Sequence, residues 1–306
     1  MMKNIVKTKR RHWIFKEYSL HLLLIPGILV TFVYHYLPMF GIIMSFQDFN
    51  PVKSFVGSDF VGLKNFRYIF NLPNFGQVFW NSVQIAVAKI LLGQIVPLVL
   101  ALSLNEIRRK WFSRTAQTIF FLPYFLSWVI LGGVFKELLG LDGSVNTLLD
   151  FLIGEKIFFM GDNQWFPVIL VITSVWKGMG YNMIIYLAAI TGIDPALYEA
   201  AALDGCGRLR QTWHITLTGL RPMIILLATL AIGNVLNAGF DQIFNMYNPL
   251  VYESSDILDT LVYRIGMVNR QYSVSAALGL FKSVLSLGLV GLSYYLAYKF
   301  SDYRIF

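Results

Sequence analysis

Six long apolar stretches alternate with polar segments along the chain. They cover residues 20–46, 80–104, 116–139, 166–193, 223–244 and 276–298. Each is longer than the roughly 20 residues that an α-helix needs to cross a bilayer. The pattern predicts an all-α polytopic membrane protein with six transmembrane helices. The transmembrane domain would cover residues 20–299, between polar segments 1–19 and 300–306.

The composition supports lipid as the solvent for most of this surface. Hydrophobic residues make up 56% of the chain and charged residues only 14%, whereas soluble domains carry about 25% charged residues. A net charge of +8 could otherwise suggest nucleic-acid binding. We expect no nucleic-acid partner, because no groove-reading or base-stacking motif accompanies the charge.

The distribution of Lys and Arg predicts the orientation. If the N-terminus is cytoplasmic, segments 1–19, 105–115, 194–222 and 299–306 lie inside and hold 15 of the 25 Lys and Arg residues, against 6 in the outside segments. Basic residues concentrate in cytoplasmic loops, so both termini are predicted to be cytoplasmic. The lone cysteine, Cys206, would then lie on the reducing side of the membrane.

The cytoplasmic loop 194–222 contains a short predicted helix. Asp194 can cap its start, Pro195 suits the first helical position, and Gly205 can adopt the left-handed conformation that ends a helix. A helix of about 9 or 10 residues would be about 14 Å long. Its alanines would let a partner approach closely and Glu199 offers one charge for a specific pair. The alternative is an ordinary surface helix that lies on the bilayer.

The residues of this loop resemble the EAA loop of bacterial ATP-binding-cassette (ABC) importer permeases. The matching order is Glu199-Ala200-Ala201, three residues, Gly205, nine residues, then Ile215-Thr216-Leu217. The family loop ends with proline after the last of these, whereas this chain has Thr218 there. The resemblance implies that five residues couple the permease to an ATPase: Glu199, Ala200, Ala201, Asp204 and Gly205.

Further stretches resemble the maltose-type sugar permeases, and more closely their polysaccharide and oligosaccharide subgroup. They cover residues 36–41, 49–53, 60–66, 245–250 and 271–277. The resemblance implies the type I ABC importer transmembrane fold in a bacterial inner (plasma) membrane. It also implies import of an oligosaccharide by ATP-driven alternating access. A peptide or a polyamine is the alternative solute for the same architecture.

The implied partners are a second permease subunit, two ATPase subunits that carry ATP and Mg, and an extracytoplasmic solute-binding protein. The chain lacks the Gly-x-x-x-x-Gly-Lys-Ser/Thr phosphate loop. We therefore expect no enzyme activity and no cofactor or metal on this chain.

Polar and aromatic residues within spans four and five are candidates for the substrate pathway, because polar groups inside a membrane are costly. These candidates are Trp176, Lys177, Gly178, Tyr181, Gly233, Asn234, Asn237 and Asp241. Asn234, Asn237 and Asp241 would share one helix face. The resemblance implies that six of them lie at positions that contact substrate in the maltose-type permease: Lys177, Gly178, Tyr181, Gly233, Asn234 and Asn237.

Five of these candidates also have a structural alternative. The two asparagines could instead form bonds between helices, and Trp176 and Tyr181 could simply pack inside the protein. Lys177 could pair with Asp241. The spans hold Lys89, Lys177 and Lys282 in their interiors, whereas their two carboxylates, Glu137 and Asp241, lie near span ends. We hypothesise that a surplus lysine faces the pathway and favours an acidic sugar such as a uronate.

Overall fold

The computed structural model describes residues 21–233 and 235–301, which are mostly helical. Its helices are α1 (His21–Phe46), α2 (Ser54–Gly57), α3 (Lys64–Phe70), α4 (Phe75–Asn105), α5 (Lys110–Phe125), α6 (Trp128–Leu138), α7 (Ser144–Ile153), α8 (Trp165–Thr191), α9 (Pro195–Leu203), α10 (Arg208–Gly233), α11 (Phe240–Met246), α12 (Tyr252–Ser255), α13 (Leu258–Tyr263) and α14 (Tyr272–Ser301). A 3₁₀ turn covers Pro249–Val251, and a π turn at Arg264–Val268 follows α13.

Of the described helices, α1, α4, α8, α10 and α14 are each long and apolar enough to span a membrane. The bent pair α5 and α6 provides a sixth span if the two helices are counted together. The prediction of an all-α membrane protein with six spans is therefore supported by length and composition.

The two ends of the bundle carry different structures. One end, called here the hairpin end, carries strands β1 (Gln47–Asp48) and β2 (Asp59–Phe60), which pair antiparallel with Gln47 opposite Phe60. The side-chain amide of Asn65 supports this hairpin by donating to the carbonyls of Ser45 at 3.0 Å and Gln47 at 2.9 Å. The opposite end carries α9 and is called the α9 end.

Helices α4 and α8 pack along each other at the centre of the bundle. The amide of Asn182 on α8 donates to the carbonyl of Gly93 on α4 at 3.1 Å, and the hydroxyl of Tyr186 donates to Gln94. Helix α5 approaches the other side of α8 so closely that a Cβ at Gly180 would lie 2.2 Å from the carbonyl oxygen of Phe120. Substitution of Gly180 would push these two helices apart.

The third span is bent rather than straight, a feature that the apolar run at 116–139 did not predict. Helices α5 and α6 meet at 102°. Pro123 lies in the 3₁₀ turn Leu122–Phe125 that ends α5, and the hydroxyl of Ser127 accepts from the backbone N–H of Ile130 to cap α6. The proline cannot donate a backbone hydrogen bond and the cap starts a new helix, so the direction of the chain changes between them.

The fifth span also differs from its predicted range of 223–244. Helix α10 begins earlier, at Arg208, and ends at Gly233, while α11 is a separate helix from Phe240. An apolar run locates only the residues that suit hydrocarbon. The helix itself also includes the more polar residues that precede this run, from Arg208 onwards. Gly239, with φ of +97°, adopts a conformation that favours glycine directly before α11, so α11 does not extend back towards α10.

Candidate functional site

Helix α9 has the start and the end that its sequence predicts. The carboxylate of Asp194 accepts a hydrogen bond from the N–H of Ala196 at 2.9 Å. At the other end, Gly205 has φ of +74°, and the N–H of Cys206 donates to the carbonyl of Ala201 at 2.8 Å. This is a Schellman-type ending, in which a left-handed residue closes the last turn. The predicted helix and both of its caps are confirmed.

Two side-chain contacts join this helix and its following turn to α10. The hydroxyls of Tyr198 and Thr216 are 2.9 Å apart, and Gln211 donates from its amide to the carbonyl of Cys206 at 2.9 Å. Arg208 also forms an ion pair with Glu106 after α4, at 3.4 Å, but both side chains are exposed and such a pair contributes little. Displacement of α9 would therefore pull first on α10.

The outer face of α9 is open and partly apolar. Leu203 is 90% exposed, and Leu209 in the following helix is 88% exposed. The five predicted coupling residues surround this surface: Glu199, Ala200, Asp204 and Gly205 are exposed, and Ala201 is half-buried. Large apolar side chains that protrude at the polar end of a membrane protein mark an interaction surface, either for a protein or for the membrane.

The candidates on α8 form a cluster against the bend between α5 and α6. The ammonium of Lys177 donates to the carbonyl of Tyr124 at 2.8 Å and lies 5.3 Å from the ring centre of Tyr124 and 5.7 Å from that of Trp128. Tyr181 stacks on Tyr124, with ring centres 4.8 Å apart. Trp176 meets Phe135 edge-on at 5.8 Å. The Lys177 ammonium thus lies over two aromatic rings, with Tyr181 and Trp176 on the same helix.

This α8 cluster is accessible. Trp176 is 37% exposed and Tyr181 is 44% exposed, so neither is fully enclosed by packing. A Cβ at Gly178, the next residue of α8, would meet no atom within 4 Å, so the helix surface is open at that position. The predicted alternative of an ion pair between Lys177 and Asp241 is wrong, because Lys177 contacts a carbonyl and aromatic rings instead. The cluster can offer a cation and ring faces to a ligand.

The predicted pathway residue Asn237, which follows α10, does not belong to the α8 cluster. Asn237 lines a cavity of about 710 Å³ whose other lining residues come from α1, α11, α13, α14 and the segments beside them, and none from α8. Its side-chain oxygen accepts from Lys282 at 2.5 Å, and Lys282 also forms an ion pair with Asp259. Phe240 and Tyr263 add aromatic surface to the same cavity.

The predicted shared helix face of Asn234, Asn237 and Asp241 is wrong. Asn237 lies in the non-helical connection and Asp241 belongs to the next helix, where it is exposed. Asn234 lies outside the described residues. Gly233 faces α14, since a Cβ there would lie 3.1 Å from a methyl group of Val290.

A polar network around Lys89 escaped the sequence analysis. The ammonium of Lys89 donates to the carbonyl of Ala238 at 2.6 Å and to the side-chain oxygen of Gln242 at 2.5 Å. The amide of Gln242 donates in turn to the hydroxyl of Thr173 at 2.7 Å and to the carbonyl of Leu170 at 2.8 Å. The signal was present as a lysine and a glutamine in two apolar spans, but their pairing depends on the break after α10.

At the hairpin end, a charged cluster stabilises the segment between α11 and α14. Asp256 accepts from both terminal nitrogens of Arg264 and from the hydroxyl of Thr260 at 2.7 Å. Burial would lower the pKa of Arg264, but the hydrogen bond and charge of Asp256 outweigh it and raise that pKa. Burial, followed by the nearby Tyr252 and Asp256, raises the pKa of Tyr247 to about 12. Arg264 therefore stays charged and Tyr247 neutral at physiological pH.

Comparison with known families identifies the class of protein. Residues 90–302 match the family described as the binding-protein-dependent transport system inner membrane component. The chain belongs to this family. Membership confirms the predicted permease class, the inner-membrane location and a role in transport.

Individual relatives match almost the whole chain. The polygalacturonan/rhamnogalacturonan transport system permease protein YteP of Bacillus subtilis (strain 168) is 40% identical over 98% of this chain and 95% of its own length. A bacterial ABC transporter involved in the import of the acidic polysaccharide alginate has a subunit with 32% identity and a TM-score of 0.87, covering 95% of this chain and 99% of that subunit.

A second structure of an alginate ABC transporter contains an alginate pentasaccharide-bound periplasmic protein. Its matching chain is 31% identical, with a TM-score of 0.88, and covers 95% of this chain and 98% of its own. These similarities confirm the predicted transmembrane fold of ABC importers.

Proposed function

We propose that the chain is a permease subunit of an ABC importer that moves an acidic oligosaccharide into the cell. Two similarities support this substrate class: one relative is named for transport of polygalacturonan and rhamnogalacturonan, and one structural neighbour belongs to an importer of an acidic polysaccharide. In this proposal both termini and α9 are cytoplasmic, in agreement with the distribution of basic residues.

The observation that carries the proposal is the position of Lys177. Of the three lysines in span interiors, Lys89 bonds to Ala238 and Gln242, and Lys282 bonds to Asp259 and Asn237. Lys177 instead donates one exposed hydrogen bond to a backbone carbonyl and lies over aromatic rings, on a helix whose surface is open at Gly178. Ionisable groups inside a membrane protein usually mark the path of a substrate or ion.

This geometry suits a uronate-containing sugar. The carboxylate of the sugar would pair with the Lys177 ammonium, and the sugar ring would lie against Tyr181 or Trp176, which remain partly exposed. Gly178 leaves room for the ring to approach. Of the remaining candidates, Asn237 would contribute to the pathway through the cavity that it lines. Gly233, Asn234 and Asp241 stay candidates on the basis of the sequence alone.

The proposed complex contains a second permease subunit, two ATPase subunits that bind ATP and Mg, and an extracytoplasmic solute-binding protein. The exposed apolar surface around α9 would dock on one ATPase. ATP binding would close the ATPases, and the contact between Tyr198 and Thr216 would pass that movement to α10. Hydrolysis would take place on the ATPases, since the chain has no phosphate loop.

Uptake of matched sugars by the reconstituted complex tests the substrate class. The probes are an acidic oligosaccharide and the same oligosaccharide with its carboxyl groups reduced to alcohols. For Lys177→Gln we expect a KM for the acidic sugar about 10-fold higher, the loss expected for one charged hydrogen bond, with little change for the neutral sugar. Lys53→Gln, which alters an exposed loop lysine, is the matched control. Equal transport of both sugars by wild type and Lys177→Gln would refute the acidic substrate.

Co-purification from the native membrane tests the proposed partners. Wild type should bring down an ATPase, a second permease and a sugar-binding protein. Glu199→Lys and Gly205→Pro alter α9 and should lose only the ATPase. Retention of the ATPase by both variants would refute docking through α9. Stimulation of ATP hydrolysis by a peptide or a polyamine, with none by any glycan, would place the chain with importers of another solute.

A further inference from the structure

A pocket with one polar wall lies at the α9 end and shares no residue with either candidate pathway region. It has a volume of about 440 Å³ and lies where α4 ends, α5 begins and α8 ends. Lys110, Ser113, Arg114 and Gln117 of α5 all line it. These four positions recur at the spacing of a single helix face, so one wall of the pocket carries a continuous row of hydrogen-bond donors.

The opposite wall and the floor are largely apolar. Leu104 comes from the end of α4, and Ile184 and Leu187 come from the last turns of α8. A site with cations on one side and aliphatic side chains on the other matches an amphiphile rather than a small soluble ion. A free phosphate would leave the aliphatic wall unused.

The charge of the pocket has no internal counterpart among the described residues. Across residues 21–233 and 235–301, the basic members of ion pairs are Lys156, Arg208, Arg264 and Lys282. Neither Lys110 nor Arg114 takes part in one. Both side chains are exposed. The pocket therefore retains two positive charges that an anion can neutralise.

Neighbouring aromatic residues show the depth of the pocket in the bilayer. Trp111 is 77% exposed and Phe112 is 52% exposed, and both lie in the first turn of α5 beside the pocket. Tryptophan is enriched where membrane helices pass through the headgroup region. The pocket also lies at the ends of two spans, α4 and α8, and is thus placed at headgroup level.

We propose that this pocket binds the headgroup of an anionic phospholipid. The lipid phosphate would lie between Lys110 and Arg114, Ser113 and Gln117 would donate to its oxygens, and the first methylenes of the acyl chains would rest on Leu104 and Leu187. Basic pockets between transmembrane helices bind anionic headgroups in this way. The site is independent of the transported solute.

Lipid retention by the purified full chain tests this proposal. The chain is extracted into mixed micelles that contain equal amounts of phosphatidylglycerol and phosphatidylcholine, and bound lipid is counted by native mass spectrometry. Wild type should be enriched several-fold in phosphatidylglycerol. The double variant Lys110→Gln/Arg114→Gln should bind it about 30-fold more weakly, the factor that corresponds to two charges near an anionic surface.

The matched control removes the same charge outside the pocket. Arg108 and Arg109 are exposed neighbours that do not line it, so Arg108→Gln/Arg109→Gln should keep most of the preference. Equal losses in the two double variants would show a diffuse surface charge and overturn the site. Competition by inorganic phosphate at concentrations similar to those of the lipid would show a soluble-anion site and overturn the lipid assignment.

A wild-type experiment keeps the proposal testable if the pocket variant does not fold. A photoreactive phosphatidylglycerol with its label close to the headgroup should crosslink to peptides from residues 104–117 or 184–191. Crosslinks spread over all spans, with none enriched there, would refute the pocket.

Discussion

The ammonium of Lys89 lies 2.5 Å from the side-chain oxygen of Gln242 and thereby joins α4 to α11. The same ammonium donates to the carbonyl of Ala238, which belongs to neither α10 nor α11. In hydrocarbon, an unsatisfied backbone carbonyl costs several kcal/mol. Lys89 therefore makes the break between these two helices tolerable inside the membrane.

Removal of this ammonium should destabilise the break. In Lys89→Met the carbonyl of Ala238 and the side-chain oxygen of Gln242 both lose their donor. We expect the free energy of unfolding to fall by about 1–3 kcal/mol, the cost of leaving buried acceptors unsatisfied. The measurement is the midpoint of thermal unfolding in detergent. Lys53→Met, which removes an exposed loop lysine, is the control, and an equal midpoint for both variants would contradict this role of Lys89.

The ion pair between Asp259 and Lys282 should show strong coupling. Their side chains are only 20% and 14% exposed, respectively, and loss of one member of a buried pair leaves the other charge uncompensated. We expect Lys282→Met alone to lower the free energy of unfolding by about 3 kcal/mol and the double variant Asp259→Leu/Lys282→Met to recover part of that loss. A double-mutant cycle on thermal unfolding measures the coupling. Additive effects would show that the two residues act independently.

The contact between Tyr198 and Thr216 should matter for coupling more than for assembly. Tyr198→Phe removes the hydroxyl that connects α9 to α10 at 2.9 Å and leaves the ring in place. We expect the ATPase to co-purify as before, while the sugar transported per ATP hydrolysed falls several-fold. Tyr68→Phe, an exposed tyrosine on α3, is the control. An unchanged ratio in Tyr198→Phe would show that the movement passes through another contact.

The stacked rings of Tyr124 and Tyr181 predict a difference between two substitutions at one position. Their planes are within 12° of parallel. Tyr181→Phe keeps the ring and should transport nearly as wild type. Tyr181→Leu removes the ring face that we propose meets the sugar. We expect a KM about 2- to 10-fold higher for the oligosaccharide, the factor that corresponds to one aromatic contact of about 0.5–1.5 kcal/mol. Equal KM values for the two variants would remove Tyr181 from the substrate path.

The sequence predicted those features that depend on local residue patterns. Long apolar runs located the spans because the bilayer imposes a minimum length on them. Asp194 and Gly205 predicted the bounds of α9, since caps follow from residues within one turn of a helix end. These features need no knowledge of how distant segments meet.

Features that depend on tertiary contacts were missed. The bend at Pro123 required both a 3₁₀ turn and a new cap at Ser127, and a proline alone is often accommodated in a membrane helix. The break after Gly233 placed Asn237 and Asp241 on different elements. The alternative pairing of Lys177 with Asp241 was wrong, because the bend brings the carbonyl of Tyr124 within reach instead. Spacing along one helix cannot reveal such partners.

The different environments of the three span lysines have a consequence for how such a permease can diverge. Lys89 and Lys282 are each tied by hydrogen bonds to groups that hold separate helices together. Lys177 contacts one carbonyl and two ring faces, and its hydrogen bond is exposed. A single codon change at Lys177 could therefore alter the charge of the accepted cargo while the scaffold stays intact. In this architecture, substrate preference can evolve separately from foldability.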